Sequence, residues 1–243
     1  MIAEEKTPSV ASGLIGMLNV FVDPATTGKR IPAKLSWLWP VIIFSIIYGV
    51  VGYLMMPYTM QLADAAIVER SAQQGLKPEQ IERAQSMAHT ISRAGAVLNP
   101  VILIVVILIL AWLVSGMGSI SGLRAKFRDV FSLMAACSLI QALQSIATYV
   151  VVRAKGDEIR SVEQLTPPFG LDIFLQNLHG PLFAVVNFFS IFEIWYLVVL
   201  CVGLAALAKT SKGKAFAAIT PAWVLPLLLR VIQIAFTPGG SPS

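Results

Sequence analysis

Two long apolar segments near the C-terminus, joined by a short basic loop, constrain most strongly what this chain can fold into. Residues 188–208 and 215–236 are almost entirely apolar, and residues 209–214 between them read Lys-Thr-Ser-Lys-Gly-Lys. The hydrocarbon core of a bilayer is about 30 Å thick, and about 20 helical residues cross it. Because that core offers no water to the backbone, such a segment must satisfy its own hydrogen bonds as a helix. The two segments therefore predict a transmembrane helical hairpin.

Glu193 and Arg230 are the ionisable residues that lie deepest in this hairpin. Glu193 lies 16 residues before Lys209, and Arg230 lies 16 residues after Lys214. At a rise of about 1.5 Å per residue, both are about 24 Å from the loop, so antiparallel helices would place them at the same depth. A charge inside a bilayer is costly and usually has a partner. We expect a structural ion pair or two side chains that reach the far interface, and the alternative is a ligand-binding or proton-handling site.

The composition is that of a polytopic membrane protein. Hydrophobic residues make up 56% of the chain and charged residues only 13%, whereas soluble domains contain about 25% charged residues. The net charge of +5 comes from short basic clusters at the ends of apolar segments, so we expect no nucleic-acid partner. Cys137 and Cys201 lie within apolar segments and form neither a disulfide framework nor a metal-binding pattern.

The apolar segments predict an all-α fold, a polytopic membrane helix bundle of five transmembrane helices with an N-terminal interfacial amphipathic helix. The predicted spans are residues 37–59, 94–115, 129–152, 188–208 and 215–236. They define a membrane domain at residues 37–237, followed by a disordered tail at residues 238–243. Residues 180–188 make the fourth apolar stretch longer than one crossing needs. They either insert with the span or lie at the interface, and we favour the interface.

The N-terminal segment, residues 1–36, is predicted to be cytoplasmic. Four of its apolar side chains follow the spacing of one helical face: Leu14, Met17, Leu18 and Phe21. This face predicts a helix that lies in the membrane interface, and the alternative is a helix docked on the protein's own bundle. Asp23 and Pro24 end this helix, and residues 26–34 read as a polar connector.

Residues 61–93 form the longest polar excursion and predict two helices. Gly75 divides them, and Pro78 opens the second at a position where proline is favoured. The second helix has a weak apolar face made of Ile81, Ala84, Ala88 and Ile91. This region is the best candidate for a surface that binds a protein partner, and a solvated hairpin without a partner is the alternative.

Three neutral polar residues lie among the apolar segments, namely Gln141, Gln144 and Asn187. Such side chains commonly hydrogen-bond neighbouring helices in a membrane, and each bond contributes about 1 kcal/mol. We expect this packing role. The alternative is that they form a polar lining of the bundle near Glu193.

The chain contains no metalloprotease, phosphate-binding, serine-hydrolase or dithiol motif. His89 and His179 lie in or beside the outer loops, where we expect exposed histidines rather than a metal site. We therefore expect no enzymatic activity, no catalytic residue, no cofactor and no metal.

The distribution of basic residues predicts the orientation in the membrane. Residues 1–36, 116–129 and 209–214 contain ten Lys and Arg residues, whereas residues 61–93 and 153–177 contain seven. The same two groups contain four and eight acidic residues respectively. Because basic loops stay in the cytoplasm, we predict a cytoplasmic N-terminus and a C-terminus on the outside.

Two phrases carry a resemblance to a known family. Residues 21–27 read Phe-Val-Asp-Pro-Ala-Thr-Thr, and residues 189–207 read FSIFEIWYLVVLCVGLAAL. With five predicted spans and a predicted cytoplasmic N-terminus, the chain resembles the Yip-domain family over residues 14–236. It lacks the Asp-Leu-Tyr-Gly-Pro phrase of many eukaryotic members, which are linked to Rab GTPases and vesicle trafficking. It therefore looks more like the prokaryotic branch.

The resemblance implies a non-enzymatic membrane protein of a prokaryotic inner membrane, and it supplies no catalytic residues. The expected function is that of a membrane-organising or protein-interaction scaffold. Its partners would be the lipid bilayer, proteins bound through the N-terminal segment or residues 61–93, and further copies in a homo-oligomer. Two alternatives stay open. One is a small-solute or ion transporter or channel that uses Glu193 and Arg230, and the other is an accessory subunit or a membrane enzyme with an unrecognised site.

Overall fold

The computed structural model describes residues 18–34, 37–156, 159, 165, 169, 170 and 180–236. The elements of regular secondary structure within these residues are all α-helices. They are α1 (Pro24–Lys34), α2 (Leu38–Gln74), α3 (Pro78–Ile120), α4 (Phe127–Lys155), α5 (Gly180–Phe188), α6 (Ile191–Leu207) and α7 (Lys212–Phe236). A short helical stretch over residues 18–22 precedes α1.

The helices confirm the predicted all-α membrane bundle. Among the described residues, α2, α3 and α4 are long and apolar enough to cross a membrane, and α6 is a shorter apolar helix of 17 residues. The five predicted spans overlap α2, α3, α4, α6 and α7. The number of crossings stays a prediction, because helix length and composition do not locate the lipid boundaries.

α2 and α3 are longer than a bilayer is thick. They contain 37 and 43 residues, which corresponds to lengths of about 55 Å and 65 Å. Gly75, with a φ of 61°, makes the turn between them, and α3 begins at Pro78. This confirms the two predicted helices of residues 61–93. The structure adds that both are direct continuations of the apolar helices α2 and α3 rather than separate elements.

The described residues form two compact units. The first contains the described residues within 1–43, 105–141 and 168–243, and the second contains those within 44–104 and 142–167. The second unit therefore holds the α2–α3 hairpin. Its core consists of Leu62, Val152 and Ile159, with Met55, Tyr58 and Leu165 packed against them.

The core of the first unit is built around the N-terminal half of α4. Residues 130–140 of that helix are all buried. Large side chains from α6 and α7 are also buried there, among them Leu200, Leu204 and Ile219. α6 contacts both α1 and α7, and α5 contacts α7. The apolar C-terminal hairpin of the sequence is therefore part of the packed core of this unit.

The structure corrects the prediction of a polar connector at residues 26–34, because these residues belong to α1. Asp23 caps the helix through its Oδ1, which accepts the Thr26 N–H at 3.0 Å. Pro24 occupies the first helical position, where its missing N–H costs nothing. The hydroxyl of Thr27 donates to the Asp23 carbonyl oxygen at 3.1 Å, and Thr27 is only 1% exposed. Polar side chains that satisfy themselves locally can thus be buried in a helix.

α1 packs against α6 through two glycines. A Cβ atom built on Gly28 would collide with the carbonyl oxygen of Gly203. A Cβ atom built on Gly203 would lie 2.8 Å from Leu133 Cδ1 and 3.5 Å from the Pro24 carbonyl oxygen. Small residues at such positions let helix backbones approach closely, which is a common way for helices to associate in membranes.

The predicted amphipathic face of the N-terminal segment is described only in part. Leu14 and Met17 lie outside the described residues, Leu18 is exposed, and the Phe21 ring lies 5.6 Å from the ring of Trp195 on α6. Val20, which is not on the predicted face, is fully buried. The position of this segment relative to the interface stays a prediction.

The Gly28–Gly203 contact makes a testable prediction about stability. Gly28→Ala should lower the free energy of unfolding by about 1–3 kcal/mol, because the added methyl group meets backbone and cannot be accommodated by a rotamer change. The measurement is thermal unfolding of the purified protein in detergent. Gly116→Ala is the matched control, since nothing lies within 4 Å of the added atom. A Gly28→Ala protein as stable as this control would contradict the close crossing of α1 and α6.

Candidate functional site

Glu193 lies in the first turn of α6. Ser190 is the N-cap residue, and its Oγ accepts the backbone N–H of Glu193 at 3.1 Å. The Ser190-x-x-Glu193 spacing is that of a capping box, in which the glutamate normally reaches back to the cap N–H. Here the Ser190 N–H donates to the Phe188 carbonyl oxygen instead. The carboxylate of Glu193 is therefore free to bind other helices.

Two neutral donors from other helices hold this carboxylate. Trp223 on α7 donates its indole Nε1–H to Glu193 Oε1 at 3.0 Å. The side chain of Gln141 on α4 also hydrogen-bonds the carboxylate. These two contacts connect α4, α6 and α7 through a single acidic group. The position near the N-terminus of α6 adds the favourable end of the helix dipole for a negative charge.

Aromatic rings surround the indole of Trp223. The rings of Phe188 and Phe189 each lie 5.4 Å from it. Beside this group, Phe169 and Phe192 pack edge to face at 5.4 Å. Rings packed at these distances and angles make favourable edge-to-face contacts, so they hold the indole N–H in position to donate to the carboxylate.

The structure brings together some of the predicted site residues and separates others. Gln141 meets Glu193, as the hypothesis of a polar lining requires. Asn187 lies in α5, one residue before Phe188, and is half-buried. Gln144 belongs to the second compact unit and is half-buried there. The side chain of Arg230 lies outside the described part of the chain, so its pairing with Glu193 stays a prediction.

Trp223 is the residue that sequence reasoning missed. Arg230 lies as far from the lysine loop as Glu193 does, whereas Trp223, which donates to Glu193, lies seven positions, about 10 Å, closer to that loop. The spacing of seven residues places Trp223 and Arg230 on the same face of α7. A search of that face for any hydrogen-bond donor, rather than for an opposite charge, would have found the indole.

The histidines do not form a metal centre in the described structure. His89 Nε2 lies 2.9 and 3.0 Å from the two carboxylate oxygens of Asp64, across the α2–α3 hairpin. Among the described residues there is no group of three or more His, Cys, Asp or Glu side chains that would hold a metal ion. His179 lies outside the described residues.

The two sequence phrases that carry the family resemblance contact one another. Phe21 of the first phrase packs on Trp195 of the second, and Pro24 approaches Gly203. Gly28, the residue after the first phrase, makes the closest approach to Gly203. These phrases therefore form one packed structure, consisting of the start of α1 and the whole of α6.

Comparisons with known proteins identify a matching domain family and a relative. Residues 18–232 match the Yip1 domain. The chain is also similar to the membrane protein YknW of Bacillus subtilis (strain 168), with 24% identity over 233 residues, which cover 96% of this chain and 93% of YknW. No solved structure gives a significant match.

The Glu193 site predicts that the indole N–H stabilises the fold. Trp223→Phe keeps an aromatic ring but removes this donor, so it should lower the free energy of unfolding by about 1–3 kcal/mol, the range for a hydrogen bond to a charged group. Thermal unfolding in detergent measures the loss. Trp112→Phe is the control, because Trp112 is exposed on α3.

A Trp223→Phe protein as stable as this control would contradict the role of the indole. Arg230→Leu, measured in the same way, tests the predicted ion pair. The pair requires that this change destabilise the protein, and that the double change Glu193→Gln with Arg230→Gln recover much of the loss. Additive losses would contradict the pair.

Proposed function

Because the chain belongs to the Yip1 domain family of membrane proteins, we propose that it is a non-enzymatic scaffold that organises a membrane through protein–protein contacts. The observation that carries this proposal is an apolar stripe that begins on the part of α3 outside the predicted span and continues into the span. This stripe consists of Ala84, Met87, Ile91, Ala94 and Leu98, and all five side chains are exposed.

The stripe lies on the side of α3 that faces away from α2. α3 approaches α2 through His89, which contacts Asp64, and through Ala96 and Pro100, which lie near Gly52 and Gly49. At 100° per residue these α3 positions share one face, and the stripe lies about 180° from it. α2 therefore leaves the stripe uncovered. Met87 and Ile91, at 67% and 60% exposure, are the most exposed of its large side chains.

The spacing of the stripe favours a second helix as its occupant. Its members are separated alternately by three and four residues, which is the a/d repeat of a coiled coil. The same alternation continues along α3 through Val101, Val105, Leu108 and Trp112, all of which are exposed. A helix with this repeat offers knobs and holes to a neighbour along its length.

We propose that the occupant is a second copy of this chain. Copies inserted with the same orientation present identical stripes at the same height, so the repeats pair in register. Together with its continuation along α3 to residue 112, the stripe is about 43 Å long. With a contact about 10 Å wide, the paired surfaces of both copies cover about 900 Å². That area approaches the roughly 1,000 Å² of the smallest specific interfaces, which indicates a reversible dimer.

The dimer predicts a periodic pattern of cysteine cross-links. In a Cys201→Ser background, with the buried Cys137 retained, Met87→Cys and Ile91→Cys should form disulfide-linked dimers in membranes under mild oxidation. Ser86→Cys is the matched control, since residue 86 is also exposed but lies beside the stripe. Non-reducing electrophoresis measures the dimer fraction, with several-fold more dimer expected at the stripe. Equal cross-linking at all three positions would contradict the paired stripe.

Transport is the second candidate function, and the observation that favours it is an acidic group held between three helices. A carboxylate in such a position is a candidate proton or cation site in membrane proteins. The hydrogen bonds from Trp223 and Gln141 support a structural role for Glu193. We therefore expect purified protein in liposomes to give no ion or solute flux above protein-free liposomes. A flux that Glu193→Gln abolishes would favour the transporter over the scaffold.

The proposed location is a prokaryotic inner membrane, with the N-terminus in the cytoplasm. Similarity to a Bacillus membrane protein supports the prokaryotic membrane. The excess of basic residues in residues 1–36, 116–129 and 209–214 supports the orientation.

A further inference from the structure

Three basic stretches that are distant in the sequence belong to the same compact unit of the structure. They include Lys29 and Arg30 on α1, a group between α3 and α4, and a group at the α6–α7 loop. The second and third groups consist of Arg124, Lys126 and Arg128, and of Lys209, Lys212 and Lys214. All eight side chains are exposed. We call them the basic cluster.

Contacts along α4 and α6 show that two of the groups lie at the same end of the unit. Gln141 meets Glu193, whereas Leu133, eight residues earlier in α4, lies beside Gly203, ten residues later in α6. The two helices are therefore antiparallel. The start of α4, which carries Arg128, lies at the same end as the loop that follows α6.

α1 brings the third group to this end. Phe21 contacts Trp195, and Gly28 contacts Gly203, so the chain from residue 21 onward runs alongside α6 in the same direction. Lys29 and Arg30 follow directly after the level of Gly203. Measured along the helix axes, Lys29, Arg30 and Arg128 lie within about 10 Å beyond Gly203, toward the loop.

Among the described residues at this end of the unit, two acidic groups accompany these charges. Asp129 lies next to Arg128 and is half-buried. Asp23 is exposed but caps α1, where hydrogen bonds from Thr26 lower the pKa of its carboxyl group, and Lys29 and Arg30 lower it further. Against these two acids, the eight basic side chains leave a strong positive excess.

Aromatic residues at the same end place the basic cluster at the level of lipid headgroups. Trp37 and Trp39 are exposed at the start of α2, and Phe127 is exposed at the start of α4. The Trp37 ring lies 5.9 Å from that of Phe131, which is two residues from Leu133 and so close to the level of Gly203. Exposed tryptophans at the ends of apolar helices sit at the membrane–water interface.

We propose that the basic cluster is a binding site for the phosphate headgroup of anionic phospholipids. Clusters of four to eight Lys and Arg residues next to a membrane helix attract anionic lipids, and here three segments of the chain supply them together. A lipid rather than a soluble phosphate is the ligand, because the tryptophans at the same level give the adjoining acyl chains an apolar surface. Lipid bound here would join α1 to the ends of α4 and α6.

The test compares two triple variants of the full-length protein. Lys209→Gln, Lys212→Gln and Lys214→Gln together remove three charges from the basic cluster. Arg70→Gln, Lys77→Gln and Arg83→Gln remove three exposed charges from the α2–α3 hairpin. Native mass spectrometry of protein in a neutral detergent measures the binding of phosphatidylglycerol and of phosphatidylcholine to each. Circular dichroism establishes that both variants are folded, and Arg124→Gln with Lys126→Gln provides a second variant within the cluster.

Removing three cluster charges should weaken phosphatidylglycerol binding by about tenfold or more, because each Lys or Arg near the membrane surface adds to the attraction for an anionic headgroup. The hairpin variant should bind as the unchanged protein does, and phosphatidylcholine binding should be the same in all variants. Added salt should weaken the phosphatidylglycerol binding. Equal losses in both triple variants, or unchanged binding in the cluster variants, would overturn the proposal. Competition by soluble glycerol phosphate at the same concentration as the lipid would also overturn it, by showing a site for free phosphate.

Discussion

The close contact between the α1 and α6 backbones at Gly28 and Gly203 is the interaction on which the first unit depends. It allows a helix with a polar composition to be buried, because Thr27 and Asp23 satisfy each other and the glycines remove the side chains that would hold the backbones apart. Leu133 of α4 packs on the same glycine. Gly203 of α6 thus fixes where α1 and α4 lie along the axis of α6.

The acidic group in this unit follows a related principle. A glutamate among apolar residues suggests a buried charge that needs an opposite charge. The structure shows that Glu193 occupies the first turn of α6, where the helix dipole favours a negative group. An indole and an amide then bind the carboxylate. Neutral donors bring less desolvation cost than a second buried charge, so they suit an acid that lies between apolar helices.

The second unit has a different character. The helices α2 and α3 are longer than a bilayer is thick and form a hairpin in which His89 contacts Asp64. Leu62 of α2 packs with Val152 of α4 in a small core. The face of α3 opposite α2 has no partner within the described chain.

The sequence alone determined the class of fold and the positions of several helix boundaries. Apolar length and the cost of unpaired backbone groups in lipid dictate helices, and Gly75 and Pro78 mark the hairpin turn because few other residues suit those backbone positions. The resemblance carried by residues 21–27 and 189–207 pointed to the correct family. These properties depend on local chemistry, which a sequence displays directly.

Only the tertiary structure decided that residues 26–34 belong to a helix that buries Thr27 and Ile31, and that Trp223 binds Glu193. Both depend on the register and distance between helices, which small residues such as Gly28 and Gly203 set through contacts far apart in the chain. Apolar helices offer many registers of similar composition, so equal sequence distance from a loop does not reveal that the Trp223 indole lies at the Glu193 carboxylate. In the register that packing selects, Gly28 lies against Gly203. The same register places the Trp223 and Gln141 donors at the Glu193 carboxylate.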